Sequence, residues 1–365
     1  MSSTVIVRLT QFRVAKGIQQ DELARAMGFK DRQTLSNIEN HQRKIKPDEL
    51  KAALNFMGVP MNEFVDPTSL VGKANFSWRQ QDSVEATLQD IEEQVSRVVG
   101  LYEYIEGPSN PGPLQLTLKV DKRSTQDDAR ECAEGLINQF DLGPYPSKNL
   151  EALMSELSIR VLYLDLSSTV SAAAINLTKG NYILLNRQEV PTRRNFSWAH
   201  ELFHCLTWEA LTPERVERTY TNKGTKKPIE EKLADAFAEA LLMPRSTVNQ
   251  HVQMHSGEEV DDRFIEALAK KFGVSVPAMV YRLHQLKHLS KKRFTAFFEN
   301  RPSTNNEKEP VDIPLPYSAG FVCSLRNALY HGKVSVRKAS KNLGLTTEEI
   351  VELCATYNLP SPLEE

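Results

Sequence analysis

Residues 198–206 read Trp-Ala-His-Glu-Leu-Phe-His-Cys-Leu, an apolar run with a His-Glu-x-x-His motif. Residues four apart lie one turn above each other on an α-helix, so the imidazoles of His200 and His204 can bind one metal ion. Glu201 then reaches a water molecule at that ion. The stretch predicts a helix that carries a zinc hydrolase site.

A catalytic zinc site needs a third protein ligand and one open position. Residues 230–244 predict a second helix, on which Glu231 and Asp235 share one face. Glu231 can therefore bind the metal while Asp235 accepts the other ring N–H of a histidine and fixes its tautomer. Glu230 lies about 100° around the helix from Glu231, and Glu239 lies one turn beyond Asp235. These two residues are the rival ligands, and we expect Glu231.

The expected chemistry is hydrolysis of a peptide bond. Two neutral imidazoles and one carboxylate leave the ion with a net positive charge, which lowers the pKa of water toward ~7. Glu201 takes the proton of that water and passes it to the leaving amine. We expect Tyr220, between the two helices, to stabilise the oxyanion, with His251 and His255 as alternatives. Zinc is the expected metal, and manganese or iron would also suit this ligand set.

Short helices and strands surround the motif. The sequence predicts helices over 127–140 and 150–157, and strands over 159–163, 172–177 and 181–185, the last two joined by a hairpin-like turn at 178–180. A further helix pair is predicted over 263–272 and 276–286, where it caps this domain. A small sheet beside a metal-binding helix is a common zincin layout, so we predict an α+β fold.

The N-terminal region predicts an all-α bundle. Gly and Pro divide it into helices at 5–16, 19–27, 32–40, 47–58 and 62–65. Ten apolar residues recur at helical spacing and predict one small core: Leu9, Phe12, Leu23, Ala24, Met27, Leu35, Ile38, Leu50, Leu54 and Phe64. A helix closed by Gly28 and followed by a turn and a third helix is typical of a helix-turn-helix domain.

The charge of this region favours binding to DNA. Residues 8–46 hold nine basic and four acidic side chains, a local net charge of +5 in a chain with 45 basic and 47 acidic residues overall. On the third helix, Gln33, Thr34 and Asn37 can bond base edges in the major groove. Gln20, Arg32, Arg43 and Lys44 can contact phosphates.

Residues 16–24, Gly28 and residues 34–40 (Thr-Leu-Ser-Asn-Ile-Glu-Asn) resemble the Xre/Cro-type repressor helix-turn-helix. The turn between Gly28 and Thr34 is about one residue longer than is usual in that family. The resemblance implies a homodimer that binds a palindromic operator in double-stranded DNA.

Residues 195–204 (Asn-Phe-Ser-Trp-Ala-His-Glu-Leu-Phe-His), with Glu231, Asp235 and the Leu-Leu-Met-Pro at 241–244, resemble the ImmA/IrrE family of bacterial metallopeptidases. The pairing of Glu231 with Asp235 is also similar to that of the thermolysin-like gluzincins. The resemblance implies a protein substrate, since family members cleave or inactivate a helix-turn-helix repressor. At Phe203 the chain departs from the family, which usually has Gly there, so a weak or highly restricted peptidase is one hypothesis.

The remaining regions set the predicted domain boundaries. Residues 84–105 predict a long amphipathic helix, which either packs within the chain or forms a dimer; we expect packing because the apolar repeat is not a strict heptad. Residues 299–316 are rich in Asn, Glu and Pro, which is typical of a flexible linker. We predict a helix-turn-helix domain at 1–66, a connector at 67–120, the metallopeptidase domain at 121–295, a linker at 296–318 and a helical module at 319–365 that senses a signal or binds a partner.

The composition indicates the cellular compartment. Four widely spaced cysteines without a Cys-x-x-Cys pair are typical of reduced thiols, and no apolar run approaches the ~18 residues of a membrane span. We therefore expect a cytoplasmic protein that does not bind a membrane.

Two functions fit this sequence. The first is a DNA-binding transcriptional regulator with a zinc endopeptidase domain, which cleaves a repressor, a partner or itself after a stress or mobile-element signal. The second is an autoregulatory repressor or antitoxin whose peptidase-like domain senses a ligand or a partner without cleavage. The complete His-Glu-x-x-His motif favours the first.

Overall fold

The computed structural model describes residues 3–70, 74–80, 85–107, 116–167, 169–177, 180–214, 216–218, 227–255, 260–299 and 312–363. The fold is α+β, as predicted. The contacts divide the chain into two compact units. The first comprises residues 1–75, 84–111 and 319–365, and the second comprises residues 76–83 and 112–318.

The N-terminal bundle has five helices: α1 (Ser3–Ala15), α2 (Gln20–Ala26), α3 (Arg32–Glu39), α4 (Pro47–Met57) and α5 (Met61–Val65). Asp31 caps α3 by accepting a hydrogen bond from the Thr34 backbone N–H at 3.0 Å, and Pro47 begins α4 where its missing N–H costs nothing. All ten predicted core residues lie in the buried cluster of this bundle. The helical spacing was therefore sufficient to find the bundle and its core.

Strand β1 (Asn75–Gln80) and helix α6 (Glu85–Glu106) follow. Helix α6 packs against two of the C-terminal helices, α15 (Ala319–Tyr330) and α16 (Val336–Leu343), and the last helix is α17 (Thr347–Thr356). The rings of Tyr102 and Phe321 meet edge to face at 4.9 Å. The prediction that the long helix packs within the chain is confirmed.

The second unit contains α7 (Gln126–Gln139), α8 (Leu150–Glu156), β2 (Arg160–Leu164), β3 (Val170–Leu177), β4 (Gly180–Asn186), α9 (Pro191–Thr207), β5 (Val216–Arg218), α10 (Ile229–Leu242), α11 (Arg245–Met254), α12 (Asp262–Phe272), α13 (Val276–Gln285) and α14 (Lys291–Glu299). Its sheet has the order β2-β4-β3-β1-β5. Strands β3 and β4 are antiparallel, with Ala174 opposite Ile183, whereas β2 is parallel to β4 and β1 is parallel to β5. Turn residues 178 and 179 lie outside the described residues.

Small residues bring the helix with the His-Glu-x-x-His motif close to the sheet. Side chains alternate between the two faces of a strand, so Ala172 and Ala174 point to the same side. Both belong to the large buried cluster that also contains Ala199 and Phe203 of α9. Helix α10 packs against α9 and α7. The core thus fixes α9 between the sheet and α10.

The described ends of the predicted linker are structured. Residues 296–299 belong to α14, and the segment 312–318 is bonded to the second unit. Arg194 donates to the Asp312 carbonyl at 2.7 Å, Arg187 donates to the Pro314 carbonyl at 2.8 Å, and the Tyr317 N–H donates to Tyr163 at 2.7 Å. Burial, with help from the charge of Asp165, raises the pKa of Tyr317 to about 12. The linker prediction did not anticipate that arginines distant in sequence would donate to carbonyl groups at 312–316, and residues 300–311 lie outside the described residues.

The other domain boundaries remain predictions. Helix α6 and the C-terminal helices, which the sequence assigns to separate regions, belong to one compact unit with the N-terminal bundle. Strand β1 was not predicted. None of the helices in the described ranges combines the length and the hydropathy that crossing a bilayer requires.

Candidate metal centre and nucleic-acid interface

Helix α9 places two buried imidazoles beside each other. His200 is 0% exposed and His204 is 1% exposed. Their rings are 4.9 Å apart and tilted by 68°, and the two Nε2 atoms lie 3.1 Å apart. The four-residue spacing therefore brings both ring nitrogens to one point, as the sequence predicts.

Helix α10 brings a carboxylate to the same point. Glu231 is 2% exposed, and its Oε2 atom lies 3.1 Å from His200 Nε2. Its Oε1 atom lies 3.3 Å from His204 Nε2. The rival Glu239 instead pairs with Arg130 at 3.2 Å and with Arg282 at 3.8 Å. Among the two ligand helices, Glu231 is therefore the carboxylate that meets both histidines.

Asp235 supports His200 from the other side of the ring. Its Oδ1 atom lies 3.1 Å from His200 Nδ1. Lys227 Nζ donates to its Oδ2 atom at 2.6 Å. When Asp235 accepts the Nδ1–H proton, the lone pair of His200 is on Nε2, toward Glu231 and His204. Asp235 thus lies where the sequence predicts a tautomer-fixing residue.

The electrostatics keep both carboxylates ionised. Burial alone would raise the pKa of Glu231, but its contacts with His200 and His204 outweigh burial and hold that pKa well below its usual range. Burial opposes ionisation of Asp235 too, and the contact with His200 and the charge of Lys227 hold its pKa well below its usual range. Near neutral pH the cluster therefore contains two negative charges.

This donor set fits a divalent metal ion. One ligand atom from each of His200, His204 and Glu231 lies within 4.8 Å of the others. These three form the sole group of His, Cys, Asp and Glu in the described ranges whose geometry could hold a metal ion. His204 Nδ1 is buried without a hydrogen-bond partner among the described residues. Two imidazole nitrogens and one carboxylate oxygen are the ligands that zinc takes in many hydrolytic sites.

Glu201 lies beside this cluster and is 1% exposed. One turn further along α9, burial raises the pKa of the Cys205 thiol and the charge of Glu201 raises it further. Cys205 is therefore a neutral thiol, which donates to the Tyr182 carbonyl at 3.8 Å and lies outside the converging group. Glu201 remains the proposed base.

The N-terminal bundle exposes part of the predicted DNA-binding set. Arg32, Gln33 and Lys44 are exposed, and Gln33 Nε2 donates to Asn37 Oδ1 at 2.9 Å. Thr34 already has a partner within the helix cap, because its hydroxyl and its backbone N–H donate to Asp31. The face of α3 that the sequence assigns to base contacts is thus accessible at Gln33.

Two predicted phosphate contacts also have partners within the domain. Gln20 donates to Glu39 at 2.6 Å, and Glu39 also binds Arg13 at 2.7 Å. Arg43 pairs with Glu49 at 2.6 Å and lies over the Phe29 ring. Helix spacing predicts which face these residues occupy, but not these pairings, so their contact with DNA stays a prediction.

Comparison with known families agrees with this geometry. A model of the IrrE N-terminal-like domain matches residues 154–284, and a helix-turn-helix model matches residues 9–64. The first range contains the whole metal cluster, and the second contains α2 and α3. The chain is a fusion of a helix-turn-helix domain with an IrrE-like domain. It is therefore a DNA-binding regulator with a domain of a peptidase family. No protein of curated function matches the chain.

Phe203, the departure from the family motif, lies in the core of the IrrE-like domain. It is 0% exposed, and its ring centroid lies 5.5 Å from that of Phe237 on α10 and 6.0 Å from that of His204. The ring therefore fills the space between the two helices that carry the candidate ligands.

We expect Phe203→Ala to lower the free energy of unfolding by about 3 to 5 kcal/mol, because it leaves a cavity in this interface. Phe203→Leu keeps most of the volume and should cost about 1.5 kcal/mol or less. Denaturant unfolding of the full-length chain, followed by tryptophan fluorescence, measures both variants. Equal stability of Phe203→Ala and the wild type would show that the ring does not support the ligand helices.

Tyr220 lies outside the described residues. His251 Nε2 lies 2.8 Å from the Tyr145 hydroxyl, and burial and Lys271 lower its pKa. His255 stacks on Phe264 with ring centroids 4.1 Å apart. The His251 and His255 pair is thus engaged with aromatic residues.

Lys227 and Arg79 are two residues near the cluster that the sequence did not predict. Lys227 reaches Asp235 from eight residues before it, on the segment that leads into α10. Arg79 lies on β1 and places its guanidinium 5.0 Å from the Phe196 ring centroid. A lysine beside a proline carries no motif, and a strand distant in sequence cannot be assigned to a sheet by periodicity alone.

Proposed function

We propose that the chain is a transcriptional regulator whose IrrE-like domain is a zinc endopeptidase. In response to a stress or mobile-element signal, it cleaves a repressor, a partner protein or its own chain in the cytoplasm. The observation that carries this proposal is the buried convergence of His200, His204 and Glu231, with Asp235 behind His200.

The proposed chemistry assigns one role to each residue. His200, His204 and Glu231 would hold the metal ion, which when bound supplies the Lewis acidity that makes water a nucleophile near neutral pH. Glu201 accepts the proton of the attacking water and delivers it to the leaving amine. Asp235 holds the His200 ring in the tautomer that leaves the Nε2 lone pair available to bind the metal ion.

Zinc is the proposed metal because its hydrolytic sites often combine two histidines with one glutamate. Manganese and iron accept the same ligands. Metal analysis of the purified protein decides among them.

The proposed DNA partner is an operator bound by a homodimer. The net charge of +5 over residues 8–46 supplies attraction to phosphates, and α3 carries amides suited to base edges. Regulation of the chain's own promoter by this domain is the simplest arrangement.

One observation favours the second candidate, a regulator that senses a ligand or partner without cleavage. Histidines that bind metal nearly always donate their other ring N–H to an acceptor. His200 has Asp235 in this role, whereas His204 Nδ1 has no hydrogen-bond partner in the part of the chain that the structure describes. Loss of such a partner lowers metal affinity or activity, which is compatible with a regulator that does not cleave.

Metal dependence separates the two candidates. The full-length protein, stripped with a chelator and then reloaded with zinc, is incubated with each protein of its own operon and examined for fragments by mass spectrometry. The proposal expects fragments with the zinc form and none with the stripped form. Zinc binding without cleavage of any operon protein, including the chain itself in an induced cell, would favour the non-cleaving regulator.

The DNA assignment gives a separate prediction. Asn37→Ala is expected to weaken binding to the chain's own promoter by about 1 to 3 kcal/mol and to relax specificity at one base pair. Lys44→Ala should weaken binding to all DNA sequences. It should also reduce the slope of log affinity against log salt concentration by about 1. Fluorescence anisotropy at several salt concentrations measures both, with the exposed Lys292→Ala as control. Unchanged affinity in both variants would contradict the placement of this interface.

A further inference from the structure

Strand β1 lies outside the part of the chain that matches the IrrE-like domain. The match covers residues 154–284, whereas β1 is Asn75–Gln80, in the chain between the helix-turn-helix domain and α6. It nevertheless lies between β3 and β5 in the sheet of the second unit. The IrrE-like sheet of this protein is therefore completed by a strand from elsewhere in the chain.

Arg79 of this strand faces helix α9. Its side chain lies on the same face of the strand as Ser77, whose hydroxyl donates to the Glu214 carbonyl at 3.0 Å. The guanidinium lies 5.0 Å from the Phe196 ring centroid, and the Phe196 ring lies 6.4 Å from the ring of His200. A chain of contacts thus leads from β1 to the first candidate metal ligand.

We propose that Arg79 is a positioning residue of the metal centre, which fixes the ring of His200 through its contact with the Phe196 ring. The assignment rests on the proposed function, because it requires that His200 bind a metal ion. It goes beyond that function because it makes a strand outside the matched IrrE-like range, residues 75–80, a necessary part of the site.

Charge and position predict opposite effects of removing Arg79. A cation near a divalent ion repels it, so the loss of charge alone would strengthen metal binding. The loss of a group that orients a ligand weakens metal binding, by 10- to 100-fold for a direct partner of the ligand. Arg79 is one contact further away, so we expect Arg79→Met to weaken zinc binding by about three- to tenfold.

The test measures the zinc affinity of the full-length protein by competition with a chromophoric chelator. Arg79→Lys keeps a cation over Phe196 and should bind zinc within about twofold of the wild type. Arg160→Met is the matched control, because Arg160 lies over the Tyr182 ring of the same sheet at 5.3 Å from its centroid. It should leave the zinc affinity unchanged.

A second variant keeps the test decisive if Arg79→Met lowers stability. Phe196→Leu removes the ring between Arg79 and His200 and should also weaken zinc binding, and the double variant should lose less than the two single losses combined.

The visible spectrum of the cobalt-loaded protein, which reports the ligand geometry, should shift in Arg79→Met and return in Arg79→Lys. Zinc affinity equal to or greater than that of the wild type in Arg79→Met would overturn this role alone. A wild-type protein that binds no zinc would overturn the metal centre itself.

Discussion

Glu201→Gln is expected to slow peptide-bond cleavage by about 10²- to 10⁴-fold while zinc stays bound. The amide has nearly the shape of the carboxylate but cannot accept a proton from water. Glu201 is 1% exposed, next to His200, and it is not one of the three residues that converge as candidate ligands. Measured on the same preparation, the cleavage rate of Glu201→Gln should therefore fall while its zinc content stays as in the wild type.

The matched control is Glu230→Gln, which makes the same chemical change at a half-buried residue outside the converging group. It should leave both the cleavage rate and the zinc content as in the wild type. Full activity of Glu201→Gln would show that another group acts as the base. Loss of zinc from Glu201→Gln would show instead that Glu201 is a ligand.

Glu231→Ala should have the largest effect on metal binding. The substitution removes one of three candidate ligand atoms and leaves two buried imidazoles facing each other at 3.1 Å. We expect a loss of zinc affinity greater than the 10- to 100-fold typical of removing a group that only orients a ligand. Asp235→Asn is the internal comparison and should fall within that smaller range. Equilibrium dialysis against zinc, with metal content read by mass spectrometry, ranks the variants.

Glu230 provides the control for this prediction as well, since it is the neighbouring carboxylate on the same helix. Near-wild-type zinc binding by Glu231→Ala, with loss in Glu230→Gln or a Glu239 variant, would assign the third ligand to a rival. Equal losses in Glu231→Ala and Asp235→Asn would mean that Asp235 binds the metal directly.

The features that the sequence predicts well depend on local spacing. His200 and His204 are related by one helical turn, and so are Glu231 and Asp235, so the geometry of each pair follows from its own helix. The same reasoning found the core of the N-terminal bundle. Packing of α10 against α9 then needed only the apolar side chains that both helices carry.

The features that the sequence did not predict depend on contacts between distant residues. Strand β1 pairs with β5 across more than a hundred residues, and Arg79 is placed by that pairing. The segment at 312–318 contains two prolines and follows a stretch typical of a linker, yet Arg187 and Arg194 donate to its carbonyl groups. Gln20 and Arg43 are residue types that often contact phosphates. The sequence did not predict that they pair with Glu39 and Glu49 in the folded domain.

Phe203 departs from the family motif without opening the core. Phe203 interrupts the family pattern, but its ring packs against Phe237 in the core. We therefore expect Phe203 to affect the metal centre indirectly, because its ring sets the distance between α9 and α10.

The most direct measurement is a cleavage time course in induced cells that express either the wild type or Glu201→Gln from the native operon, with zinc content determined on the protein recovered from each culture. We predict about one zinc ion per chain in both, and fragments of an operon protein or of the chain itself only with the wild type. Zinc in both proteins and no fragments in either would contradict the proposed peptidase and leave a metal-binding regulator.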